Sequence, residues 1–368
     1  MVVADNQPGR LRIEEVAKSG GPRCTWRPVS LRGSDLTQAR RARFHGNSSI
    51  EVGQEVLSEL AVGEVRVAVE VSALCGSDKR LYRDGSMVVP GHEIAGRIVE
   101  AGHDVPSSRV GERGVVYAPV FCGACASCAI GFTNGCLRLV ELIGWQRDGG
   151  YATHVDVPAR CFVPTPDSMP LDVAVLGLDT VGTAAHGLRW AIQTRTRAVE
   201  RVAVIGCGPL GLGVAAMSLD MGLPTPEVFD PIPSRLAAAV GMGARRLHDL
   251  DAENQFDIVV EASGTRAARE AAQRLVRPGA VLLALGESDE PFVIPANPRT
   301  RRTNLFTLRT FYFPMSEVEA NWAALSRVGP QLLSVLGSPA SLDELPEVFV
   351  RFYRGELLKP IIRFDEIG

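Results

Sequence analysis

Val202-Ala203-Val204-Ile205-Gly206-Cys207-Gly208-Pro209-Leu210-Gly211 is the stretch on which the reading of this 368-residue chain turns. Four apolar residues that read as a buried strand run straight into GxGxxG, and a helical pattern begins at once. In that setting the three glycines serve different ends. Gly206 makes a tight turn, Gly208 lets a pyrophosphate approach the backbone, and Gly211 lets helix and strand pack closely. The phosphates would sit at the start of the helix, over Pro209 and Leu210, where free N–H groups and the helix dipole favour an anion. Asp230 ends the next strand, 24 residues after Gly206. A carboxylate there accepts hydrogen bonds from the adenosine ribose and repels a 2′-phosphate, which favours NAD over NADP. Arg235 pulls the other way, although an arginine can also pack against the adenosine. A glycine turn that binds nothing is the competing reading.

Around this unit, apolar strands alternate with alanine-rich helices, as in βαβ units that build a parallel sheet. The strands are Val202–Ile205, Glu227–Phe229, Asp257–Val260 and Val281–Leu285, with helices over Leu210–Met221, Ser234–Val240 and Arg266–Leu275. Before about Thr180 the rhythm is different. Val65, Val67, Val69 and Val71 alternate with Arg66, Ala68 and Glu70 as in a half-buried strand, and short strands continue through Ile94–Val99, Gly114–Tyr117 and Tyr151–Val155. After Pro314 come helical stretches over Ser316–Val328 and Leu342–Tyr353 and a closing strand, Pro360–Phe364.

Four of the eight cysteines, Cys122, Cys125, Cys128 and Cys136, fall within fifteen residues. Thiolates at CxxCxxC spacing can turn inward on one tight loop, and four sulfurs complete the closed shell of a structural zinc site. Disulfides suit this large chain less well. An iron–sulfur cluster is the other competitor, but the ferredoxin run closes after three residues and before proline, whereas Cys136 follows after seven and precedes Leu137.

The remaining bounds fit a soluble, cytoplasmic enzyme. Hydrophobic residues make up 46% of the chain, ample for two cores. A net charge of −3 without a long basic run gives no electrostatic footprint for nucleic acid. The start lacks the apolar stretch of a signal peptide, and no segment approaches the ~20 apolar residues of a membrane span. Residues 1–40 read as an extension before the first domain.

Upstream of the cysteine run lie Cys75-Gly76-Ser77-Asp78 and Gly91-His92-Glu93, neither telling alone. In this order, with the four-cysteine loop and the dinucleotide unit, they resemble the zinc-dependent medium-chain dehydrogenases/reductases, the alcohol and polyol dehydrogenase family. The resemblance runs from about Ala42 to the C-terminus. It implies a GroES-like, β-rich catalytic domain over residues 41–180, completed by 315–368, with a Rossmann domain over 181–314 and the site in the cleft between them. It also implies a homodimer or homotetramer.

Residue by residue, Cys75 resembles the thiolate ligand of a catalytic zinc, His92 its imidazole ligand, and Glu93 the carboxylate that binds or supports the metal. Asp179, seven before His186, resembles the acidic ligand of the polyol and threonine dehydrogenase branch, although it also suits a helix N-cap. Thr183 resembles the residue that touches the nicotinamide, and Lys359 the basic residue that reaches the pyrophosphate. Cys122, Cys125, Cys128 and Cys136 would form the structural zinc lobe, giving two zinc ions per subunit. His186 is expected to pack, and Cys24, Cys161 and Cys207 to be packed or exposed.

A zinc with an open position lowers the pKa of a substrate hydroxyl. The resemblance therefore implies hydride transfer between NAD(H) and a small secondary alcohol or its ketone, such as a polyol, cyclitol, sugar or amino alcohol. Ser77 resembles the hydroxyl that starts the proton relay. Where many relatives finish that relay with histidine, this chain has Arg80, which cannot be deprotonated at working pH. Reduction of C=C or C=N bonds on the same fold, or zinc and dinucleotide binding without catalysis, are the alternatives.

Overall fold

The computed structural model describes residues 38–139 and 141–364. Most of the expected N-terminal extension, Cys24 included, lies outside them. The first strand, Gln38–Gly46, begins ahead of the expected domain start and pairs antiparallel with Ser49–Val56. Asn47 and Ser48, both at positive φ (49° and 62°), form the two-residue turn between them.

The β-rich part is an antiparallel sheet in the order Ile361–Arg363, Glu64–Ala73, Glu93–Ala101, Arg113–Val116, Phe162–Pro164, with His154–Pro158 also paired to Glu64–Ala73. Val65, Val67, Val69 and Val71 are buried as their alternation requires. Arg66, expected on a solvated face, is buried too. It is held by Asp156, whose Oδ1 accepts from Nε at 2.8 Å, and by Glu100 at 2.5 Å. A buried guanidinium is tolerated only when paired in this way.

The second sheet is parallel throughout, in the order Arg245–Arg246, Glu227–Phe229, Val202–Ile205, Phe256–Glu261, Val276–Ala284, Phe306–Arg309. This is the doubly wound dinucleotide-binding order, which reverses beside Val202–Ile205, and ligands bind such sheets at that reversal. Gly206 (φ +99°) makes the turn there. A Cβ on Gly211 would lie 1.8 Å from the Gly206 carbonyl oxygen, so the close packing assigned to this glycine is real.

The two sheets share one core, in which Val71, Ala95 and Tyr117 join Leu176, Val181, Val204, Ile258 and Val281. The segment after Pro314 divides. Its first helix, Val318–Leu332, packs on the Pro209–Asp220 helix and on the turns around Val175–Gly177, so it sits with the parallel sheet and not the β-rich part. Only afterwards does the chain cross back: Leu342 and the Leu345–Tyr353 helix join the core of the β-rich part, and Ile361–Arg363 pairs with Glu64–Ala73. Among the described residues no helix is long and apolar enough to cross a membrane.

Candidate active site

Cys75 follows the end of Glu64–Ala73, and His92 and Glu93 stand at the start of the neighbouring strand Glu93–Ala101, so antiparallel pairing brings the three together. Asp179 arrives from the segment linking the two sheets, in a single π-helical turn, Asp179–Thr183, that leads into the Ala184–Thr194 helix. It is therefore no N-cap: its side chain caps no helical N–H, and Thr183 Oγ1 donates to its Oδ1 at 3.0 Å. Such turns recur at functional sites because they push one residue out of helical register. A Cβ on Gly213 would fall 2.0 Å from the Thr180 carbonyl oxygen, so the dinucleotide helix itself seats this turn.

One donor atom from each of Cys75, His92, Glu93 and Asp179 lies within 4.8 Å of the others. Tetrahedral zinc with bonds of about 2.0–2.3 Å needs donors roughly 3.3–3.8 Å apart, within reach of small side-chain shifts. The Cys75 thiol donates to Asp179 Oδ2 at 3.2 Å, and Ser77 Oγ lies 3.2 Å from the same sulfur. Burial, with Asp179 beside it, pushes the Cys75 thiol pKa up. Burial also raises Glu93, to about 7, although Lys359 opposes it. Glu93 Oε2 is buried with no hydrogen-bond partner, a carboxylate oxygen that a cation would satisfy. The soft thiolate, imidazole and carboxylate set suits zinc, and these residues fit it.

Behind the ligands stands a residue to which the sequence reading gave no role. Asp78 is fully buried, accepts from Tyr151 OH at 2.6 Å and from the Cys75 N–H at 3.1 Å through Oδ2, and faces His92 Nδ1 at 3.3 Å through Oδ1. Neither of these two buried atoms has a hydrogen-bond partner as placed, and a carboxylate facing one ring nitrogen favours the tautomer that leaves the other free for a metal. Burial alone would lower the His92 pKa, but Asp78 and Cys75 more than offset it and the imidazole is held well above its usual value. The signal was present in sequence only as an acid three residues after Cys75.

Lys359 differs from the expectation. It is 1% exposed, ion-paired through Nζ with Glu93 Oε1, and absent from the wall of the cleft. A buried carboxylate calls for a cation, and Lys359 supplies it.

A cleft of about 1220 Å³ runs between the two sheets. Cys75, Ser77, His92, Asp179 and Thr183 line one end, and Gly206, Gly208, Pro209, Leu210, Asp230 and Arg235 the other. Gly211 lies behind, against the turn. Asp230 is buried and accepts from the Cys207 N–H and the Ile232 N–H, both at 2.8 Å, which anchors its carboxylate at the strand end. Trp145, Phe311 and Tyr312 also face the cleft. Arg80 lies over the Trp145 ring at 4.9 Å and donates to Asp289 Oδ1 at 3.0 Å. His186 packs as expected, its Nδ1 2.9 Å from Glu317 Oε1.

The four-cysteine loop lies apart. Its sulfurs also converge within 4.8 Å, and Cys125 and Cys136 sulfurs stand 3.8 Å apart, too far for a disulfide. Backbone N–H groups of Ala124 and Arg138 point at the sulfurs of Cys122 and Cys136 at 3.4 Å. Similar contacts, led by the Cys128 N–H, bring the Cys125 thiol down to about 6. Burial pushes the Cys128 thiol the other way, to about 12, and the four sulfurs together could hold a metal ion. Of the two options left open for Cys161 and Cys207, packed or exposed, both are packed.

Comparison with known proteins agrees with this geometry. The alcohol dehydrogenase GroES-like domain matches residues 61–167. The D-altritol 5-dehydrogenase of Agrobacterium fabrum is 34% identical over 259 residues, covering 66% of this chain and 76% of that protein. An L-threonine 3-dehydrogenase of Pectobacterium atrosepticum is 26% identical over 345 residues, 88% of this chain and 94% of that one. Among solved structures, the alcohol dehydrogenase TADH from Thermus sp. ATN1 superposes with a TM-score of 0.79 at 25% identity, covering 88% of this chain and 99% of the other.

Proposed function

Since this chain belongs to the zinc-type medium-chain dehydrogenases/reductases, we propose that it oxidises a secondary alcohol of a polyol-like substrate with NAD, or reduces the matching ketone. The observation that carries this is the convergence of Cys75, His92, Glu93 and Asp179 at one end of the cleft that also holds the Gly206–Gly211 turn. When bound, zinc and the nicotinamide supply a Lewis acid and a hydride acceptor. The chain's own residues do the rest. Asp78 orients His92, Thr183 orients Asp179, and Lys359 keeps the Glu93 carboxylate compensated.

Ser77 Oγ, beside Cys75, is the group that takes the proton from the substrate hydroxyl. Arg80, fixed by Asp289, cannot receive it next, so water in the open cleft does. The resemblance of Asp179 to the acidic ligand of polyol and threonine dehydrogenases supports a secondary alcohol that carries further polar groups, as do the names D-altritol 5-dehydrogenase and L-threonine 3-dehydrogenase among the relatives. Two zinc ions per subunit, a preference for NAD through Asp230, and a homodimer or homotetramer are part of the same proposal.

The test is NADH formation at 340 nm across a panel of alditols, cyclitols, sugar acids and amino alcohols. A polyol or related secondary alcohol giving the highest kcat/KM supports the proposal. Turnover confined to C=C or C=N reduction overturns it.

A further inference from the structure

With Lys359 committed to Glu93, the cation expected to meet the cofactor's phosphates from the C-terminal segment is missing from the cleft. Lys79, Arg80, Arg235, Arg274 and Arg309 line it, and Arg80, Arg274 and Arg309 are ion-paired with Asp289, Asp251 and Glu287, which leaves Lys79 and Arg235. Lys79 comes from the β-rich side, on the Asp78–Asp84 helix, with Nζ 4.9 Å from the Phe352 ring centroid, 5.8 Å from that of Tyr353 and 3.3 Å from the Tyr353 carbonyl oxygen. Arg235 comes from the opposite side, on the Pro233–Gly241 helix that follows Asp230. Its guanidinium lies against Gly355, where a Cβ would be 3.3 Å from Nη2. Its Nε is buried without a hydrogen-bond partner.

Among the described residues neither cation has an acidic partner within ion-pair distance, in a chain where most arginines do. They also feel each other: burial first, then Arg235, holds the Lys79 ammonium below its ordinary pKa. Two like charges brought together from two sides of one cleft are repulsive until an anion lies between them. The same cleft is lined by the Gly206–Gly208 turn at the start of the Pro209–Asp220 helix, a feature suited to an anion.

We infer that Lys79 and Arg235 clamp the diphosphate of the dinucleotide, Lys79 reaching it from the β-rich side in the role that Lys359 cannot fill. The inference rests on the cleft being a dinucleotide site. A lysine ammonium suits such a group as a mobile point charge.

The test is calorimetric binding of NADH, ADP-ribose and adenosine to the zinc-loaded full chain, with Lys79→Met and Lys79→Arg beside the wild type. Losing a charge-assisted contact predicts about 10- to 100-fold weaker binding of NADH and ADP-ribose by Lys79→Met. Adenosine should bind it as it binds wild type, and Lys79→Arg should recover most of the loss. Equal ADP-ribose affinity in Lys79→Met and wild type overturns the clamp, and so does an equal loss for adenosine, because the effect then does not run through the phosphates. A wild type that binds neither NADH nor ADP-ribose overturns the dinucleotide reading beneath it.

Discussion

Replacing Asp78 by asparagine keeps the shape of the side chain and removes one acceptor. In the wild type Oδ2 takes hydrogen bonds from Tyr151 OH and the Cys75 N–H, and Oδ1 faces His92 Nδ1. An asparagine NH₂ placed toward Oδ2 would confront two donors, so the amide nitrogen turns to His92. There it donates to Nδ1 and favours the ring tautomer that protonates the other nitrogen, the one a metal needs. The loss of a charge-assisted contact is about 1.5–3 kcal/mol. That corresponds to roughly 10- to 150-fold, in line with the ~10- to 100-fold in metal affinity that such orienting groups contribute. The assay is titration of zinc-loaded Asp78→Asn with a competing chelator while the zinc left on the protein is counted. The variant should release one zinc at lower chelator concentration and keep the one in the four-cysteine lobe. Release of both at wild-type concentrations would refute the reasoning.

Asp230→Ala removes the carboxylate proposed to accept from the ribose and strands the Cys207 and Ile232 N–H groups. It should lower kcat/KM for NAD at least ~10-fold and narrow the gap to NADP; a wild type with higher kcat/KM for NADP would contradict the assignment. Ser77→Ala should slow alcohol oxidation by ~10² to 10⁴, measured across pH with a deuterated substrate. Wild-type rates, with hydride transfer shown to be limiting, would take Ser77 out of the proton path.

Much of the fold is legible because the local signals agree. Val202–Ile205 and Glu227–Phe229 match the expected strands residue for residue, as does the helix Arg266–Leu275, since apolar strands and alanine-rich helices have distinct periods. The candidate metal ligands are legible only through the order in which Cys75, His92-Glu93, the four-cysteine run and the glycine turn follow one another, which resembles a known family. What was missed depends on partners distant in sequence. Lys359 lies 266 residues from Glu93, and nothing around it says which of two anions it will meet. Asp78 acquires its role only when strand pairing brings His92 beside it, and the Val318–Leu332 helix has an apolar face that would suit either sheet. The π-helical turn at Asp179 has no signature in composition at all.

The central claim is that Cys75, with His92, Glu93 and Asp179, is the catalytic centre, and that Cys122 and its neighbours form a structural cage. Turnover of the best substrate by Cys75→Ser, read beside its NADH binding and its unfolding curve, tests this most directly. The variant should bind NADH and unfold as the wild type does while its kcat falls to background, whereas Cys122→Ser should lose folding stability, because a closed zinc site contributes folding energy. Near-normal turnover by zinc-loaded Cys75→Ser would contradict the account.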